Sequence, residues 1–210
     1  LSLVPDIGPF GLNFVSDRVN KNLQNGALDD LRQRIQDDLD GDTSAGAATA
    51  LAKAKTGQAA FPRHRATAGY AAFVAFSRGL RFGARPEDKG YGDMMVRVSR
   101  TKESDFLLLG QAAQHAATGQ IARARQTMQG LLERRPDDID VAVLAGEVEL
   151  LAKSGDQAKK VWQQAVGIRK GTRSLFGLAR AQFAAEDFIG AEASAQNALT
   201  LSPKHVGART

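Results

Sequence analysis

An all-α protein is what this sequence predicts, and three observations carry the expectation. Alanine supplies 35 of the 210 residues, while aromatic residues make up only 6%. Alanine loses no side-chain entropy in a helix and lets helix backbones approach closely. Apolar residues recur at helical spacing, and in the C-terminal half the whole pattern repeats every 33 or 34 residues. Composition also narrows the function. With no cysteine there is no disulfide framework, thiolate metal site or cysteine nucleophile, and the apolar runs fall far short of a bilayer crossing.

Residues 1–25 read as a lead-in. Pro5, Gly8 and Pro9 make residues 1–10 extended and packed on a neighbour. Leu12, Val15, Val19 and Leu23 then mark a short amphipathic helix over residues 11–24. Residues 26–103 read as degenerate helix pairs. Leu28, Leu31, Ile35 and Leu39 form one stripe, Gly41-Asp42 is the turn, and residues 45–54 supply a second helix. Tyr70, Phe73, Val74, Phe76 and Leu80 make residues 66–82 apolar nearly all round, hence a buried helix. Glycines and a proline crowd the following stretch, so a long loop is expected over residues 83–93 and a short helix over residues 94–99.

Residues 105–205 hold three copies of one pattern. Leu108, Gln111-Ala112 and His115 recur as Val141, Leu144-Ala145 and Val148, then as Leu175, Leu178-Ala179 and Gln182. Downstream, Ala124, Met128 and Leu131 recur as Ala158, Trp162 and Ala165, then as Ala191, Ala195 and Ala198. Each copy reads as two amphipathic helices around a turn near Gly119, Ser154-Gly155 or Glu186. Pro136 and Pro203 close the first and third copies, because proline has no N–H to donate and clashes with the preceding turn.

These positions resemble the tetratricopeptide repeat. Its W-x2-L-G-x2-Y…A-x3-F…P spacing is matched by Leu175, Leu178, Ala179, Gln182, Ala191, Ala195 and Pro203, with aliphatic or polar residues in the tryptophan and tyrosine slots. The resemblance implies a right-handed α-solenoid of stacked antiparallel helix pairs, with a less regular helical N-terminal part. It also implies a concave groove, lined by the first helix of each pair, where partners dock as peptides. Carried over position by position, that groove holds Phe106, Leu109, Ala113, Ile139, Ala142, Gly146, Glu149, Arg173, Phe176, Arg180 and Phe183. An apolar trough with a cationic end at Arg173 and Arg180 suits an amphipathic peptide bearing an acid. Residues 206–210 look like the start of a further helix, and together with Leu1 in the initiator position they suggest a segment of a longer array.

Enzyme motifs are missing from the pattern. His64, His115 and His205 lack metal-ligand spacing, and no phosphate-loop or nucleophile-elbow motif occurs. Asp37, Asp38, Asp40 and Asp42 alternate as in a calcium loop but lack its closing glutamate. We therefore expect a non-enzymatic protein with no cofactor and no metal.

Charge gives a second surface. The chain is +5 overall, yet residues 63–102 carry nine Lys or Arg against three acids, a local +6, leaving −1 for everything else. Arg63, Arg65, Arg78, Arg81 and Arg85 would form a basic patch that is a solvated face, a contact for an acidic protein, or a site for nucleic acid or another polyanion. The reading favoured by the repeats is a scaffold or adaptor that binds a protein or peptide in its groove. High alanine and the excess of Arg over Lys fit a bacterial source. The resemblance then implies envelope, secretion, pilus or motility assembly work, in the cytoplasm or periplasm.

Overall fold

A computed structural model describes residues 9–99, 104–205 and 207–208, with side chains from residue 22 onward. Among the described residues the chain is ten α-helices and no strand, in the order α1 (Pro9–Asp40), α2 (Ser44–Ala60), α3 (Arg65–Phe82), α4 (Pro86–Ser99), α5 (Asp105–Ala117), α6 (Ile121–Arg134), α7 (Ile139–Leu151), α8 (Gly155–Ile168), α9 (Thr172–Ala184) and α10 (Phe188–Leu201). They form five hairpins, α1–α2 through α9–α10. Each hairpin packs on the next, and the odd-numbered helices α3, α5, α7 and α9 also touch one another in sequence.

One backbone feature recurs in all five hairpins. The turn between the paired helices holds a residue with positive φ: Asp42 (47°), Gly83 (93°), Gly119 (76°), Lys153 (57°) and Glu186 (61°). A left-handed residue ends a helix while its amide still reaches back to the last carbonyls. The 34- and 33-residue steps from Gly119 to Lys153 to Glu186 reproduce in the backbone the period seen in the alanines. Side-chain caps start several helices: Thr43 Oγ1 accepts from the Gly46 amide at 3.0 Å, and Ser104 Oγ from the Leu107 amide at 3.2 Å.

The alanines and glycines sit where helices cross. α5 lies across α3 at Gly110 and Gly69, where a Cβ on Gly110 would come within 2.6 Å of the Gly69 carbonyl oxygen. Trp162 of α8 is wholly buried and lies against Gly146 of α7 and Gly177 of α9, neither of which has room for a side chain. Two apolar clusters result. The larger runs from Leu28 to Val161 and includes the buried α3; the smaller gathers Ala142, Val143, Ala158, Ala165, Leu178 and Ala181 around Trp162.

The N-terminal half departs from expectation at two places. α1 is one 32-residue helix, continuous through Gly26 where a break was expected. That glycine has nothing within 4 Å of a would-be Cβ, so it is an exposed helical position that costs some stability without ending the helix. The expected loop over residues 83–93 is also mostly helix, since α4 opens at Pro86. Proline fits the first turn because its missing N–H is unneeded there, and Glu87 and Asp88 favour the same end of the helix dipole. The extended segment falls largely on residues 1–8, outside the described residues. So do the side chains of Leu12, Val15 and Val19, and Arg100 and Lys102 of the basic stretch. Of the expected further helix, Gly207 and Ala208 form a turn and the other three residues lie outside the described set.

Candidate functional site

The inner ends of the odd-numbered helices converge, and their polar residues meet each other beside an open cavity of about 690 Å³ lined by Arg32, Gln36, Arg135, Asp138, Ile139 and Arg169. Arg32 of α1 is the centre of one cluster. Its Nη2 donates to Asp138 Oδ2 at 2.8 Å and to Asp140 Oδ2 at 3.2 Å. Its guanidinium also lies 5.4 Å from the Tyr70 ring centre and 4.9 Å from that of Phe106. Asp140 is wholly buried and accepts in addition from the Tyr70 hydroxyl at 3.1 Å and Gln36 Nε2 at 2.8 Å. Asp138 caps α7 through the Asp140 amide at 3.0 Å and takes Arg135 at 2.8 Å. Helices α1, α3 and α7 are thereby tied through one buried acid pair, and α5 joins them through Phe106 against Arg32.

The electrostatics follow from that burial. Desolvation alone would lower the pKa of Arg32, but the adjacent Asp140 and Asp138 charges outweigh it and hold the guanidinium above its ordinary value. Burial raises the Tyr70 hydroxyl well above the usual tyrosine range, and the Asp140 charge pushes it the same way. Both shifts favour the charged guanidinium and the neutral phenol that the Asp140 carboxylate binds.

A second cluster closes the far end of the same face. Asp42, in the α1–α2 turn, accepts both Arg81 Nε at 3.0 Å and Arg81 Nη2 at 2.6 Å, a two-pronged pair. His205 Nε2 lies 3.0 Å from Asp42 Oδ2. The Ala208 amide donates to His205 Nδ1 at 3.0 Å, which leaves Nε2 as the donor to Asp42. The Phe176 ring lies 4.7 Å from the His205 ring, tilted 57° to it, and 4.9 Å from the Arg81 guanidinium. Burial pushes the Asp42 carboxyl up, but the Arg81 hydrogen bonds, with the charges of Arg81 and Arg173, bring it below its ordinary value. Between the clusters, Arg169 reaches Asp37 at 2.7 Å and Asp40 at 2.6 Å.

These contacts correct the groove register. Of the cationic end expected to receive a partner's acid, Arg173 already faces the chain's own Asp40 and Asp42, while Arg180 pairs with Glu147. Phe106 is held between Arg32 and Arg135, whose guanidinium lies 4.8 Å from its ring. Leu109, Ala113 and Ala142 are buried, and Gly146 is pressed on Trp162. Ile139 is half-buried beside Arg32, Arg135 and Arg169. Glu149 turns towards α6, where Arg125 Nη2 meets it at 2.9 Å. Arg173 is half-buried near Asp40 and Asp42.

The remaining three expected groove residues meet at the other edge of α9. Phe176, Arg180 and Phe183 line a cavity of about 690 Å³, completed by Ala179, Phe188, Ala191, Ala195 and Gly207. Arg180 Nη1 donates to Glu147 Oε1 at 2.5 Å and keeps about a third of its side chain exposed. Phe183 is 66% and Phe188 58% exposed, their rings meeting edge-on at 5.5 Å. Ile189 is 86% exposed. The α10 side of this cavity escapes the family groove pattern, which counts first helices only. The signal was Phe188-Ile189 at the start of an otherwise Ala-rich helix.

The basic patch is also redistributed. Arg78 is buried in an ion pair with Asp88, which Lys55 approaches at 3.6 Å, and Arg81 is committed to Asp42. Arg63, Arg65 and Arg85 are exposed. However, 63 and 65 lie at one end of α3 and 85 beyond the other, roughly 25 Å apart at 1.5 Å per residue. The Asp37, Asp38, Asp40 and Asp42 carboxylates do not converge either, since each turns to a cation: Arg169, Lys53, Arg169 and Arg81 in turn.

No family model matches this chain, and no curated protein matches it. No described helix is long and apolar enough to cross a membrane.

Proposed function

We propose that the chain is a non-enzymatic helical-repeat module of tetratricopeptide type, a scaffold that holds a protein partner within a larger bacterial assembly. Its docking surface is the cavity between α9 and α10, and the occupant is an amphipathic segment with apolar anchors and an acid. The observation carrying this reading is the contrast in that cavity. Phe183 and Phe188 stand more than half exposed beside a hollow floored by alanines, with Arg180 at its rim. Large apolar groups left in water around a concavity mark an interaction site. Arg180 has five N–H donors and spends one on Glu147, leaving others for an incoming carboxylate.

Stacked helix pairs explain the rest of the design. Each hairpin buries its apolar face against a neighbour, so α3 to α8 supply rigidity beside the face of α9–α10. The test is partner capture by the immobilised chain. Phe183→Asp or Arg180→Glu is expected to abolish capture with helicity by circular dichroism unchanged; capture retained by both variants contradicts the reading.

A further inference from the structure

A small cavity of about 20 Å³ lies enclosed between α3, α7, α8 and α9, with room for one water molecule or one monatomic ion. Among the described residues its walls hold three arginines, Arg81 of α3 with Arg173 and Arg180 of α9, against a single acid, Glu147 of α7. Two of the three are balanced, Arg81 by Asp42 and Arg180 by Glu147. Arg173 is half-buried and, among the described residues, makes neither a hydrogen bond nor an ion pair. The carboxylates that act on it through space, Asp40 and Asp42, are already held by Arg169 and Arg81.

Ser77 of α3 lines the same cavity. It is nine-tenths buried, and its Oγ has no hydrogen-bond partner. A buried hydroxyl in that state is destabilising, so the cavity offers an unused donor as well as an unbalanced charge. Leu80, Val143, Leu144 and the Trp162 ring make the rest of the wall apolar, so a sulfate or phosphate would find neither the space nor a donor for each oxygen. A water molecule would satisfy the donors and leave the charge; one monovalent anion satisfies both. We propose that the cavity is a halide site, in which one chloride ion accepts from the Arg173 guanidinium and the Ser77 hydroxyl. The ion neutralises the arginine that the fold leaves unpaired and ties α9 to the buried α3. Chloride then stabilises the folded chain by mass action, because the site exists only with α3 and α9 in place.

The chlorine NMR line width of sodium chloride solutions containing the chain tests this, with gluconate replacing chloride so that ionic strength and screening stay constant. The wild-type chain is expected to broaden the line saturably. Bromide, with the same charge and nearly the same size, is expected to reverse the broadening by competition, and sulfate is not. Arg173→Gln is expected to weaken chloride binding about tenfold, the loss of a charge-assisted hydrogen bond, and Ser77→Ala about fivefold. Thermal melts give a second readout. In gluconate Ser77→Ala is expected to melt no lower than the wild type, since it removes an unpartnered buried hydroxyl; in chloride the wild type gains more than the variant. If Arg173→Gln does not fold, Ser77→Ala still decides the question. Absence of broadening, broadening equal in the wild type and in Ser77→Ala, or broadening that bromide does not reverse would overturn the proposal and leave the cavity to a water molecule.

Discussion

The inner ends of α1, α3 and α7 and the outer face of α9–α10 carry similar residue types and put them to opposite uses. On the inner side arginines and aromatics are consumed internally: Arg32 lies against Tyr70 and Phe106 and pairs with two buried acids. At the outer end Phe183, Phe188 and Ile189 face water, and Arg180 has a single carboxylate beside it. Position in the stack, more than composition, decides whether an Arg/Phe surface is structural or available. Inner charges such as Asp140 were desolvated on folding and are held by their partners.

Substitutions should separate the two regions by size of effect. The largest is expected at Asp140, because Asp140→Ala strips Arg32, Tyr70 and Gln36 of a common acceptor and leaves a buried guanidinium with one acid in place of two. Breaking a buried pair in this way costs roughly 3 kcal/mol, read as a lower urea midpoint at unchanged m-value.

A smaller, pH-dependent effect is expected at Asp42. Its carboxyl is held below its ordinary value in the folded chain, so it contributes stability above the unfolded carboxylate range near pH 4. That contribution is lost as pH falls through the lower folded value. Thermal melts from pH 6 down to pH 2 should therefore show a smaller acid-induced drop in Asp42→Asn than in the wild type. Asparagine tolerates the left-handed backbone at this position, φ 47°, so the turn itself is retained. The smallest effect is expected at the outer face, where Ile189→Glu should change stability by no more than about 0.5 kcal/mol, measured by chemical unfolding.

Much of this was legible in the sequence, for a definable reason. The alanine spacing located the last three hairpins, and the apolar run around Phe73 marked α3 as buried, because those signals lie within one element or between adjacent ones. What escaped was long in range. Arg32 and Asp140 are 108 residues apart and belong to no shared period, so nothing in the pattern shows that α1 reaches the start of α7 and closes the inner face. The groove positions carried from the family assume that face is open, which is why Leu109, Ala113 and Ala142 prove buried while Phe176, Arg180 and Phe183 line a cavity. Local chemistry misled at α4, where Pro86 is the first residue of a helix whose Asp88 is fixed by the distant Arg78. The same ion pair removed Arg78 from the expected basic patch.

Amide hydrogen exchange, followed residue by residue, tests the central contrast most directly. The account predicts that amides of α3 and α7 exchange slowly, near the global unfolding limit, while those of residues 183–201 exchange faster through local opening. Exchange in α3 and α7 as fast as in residues 183–201 would contradict the account.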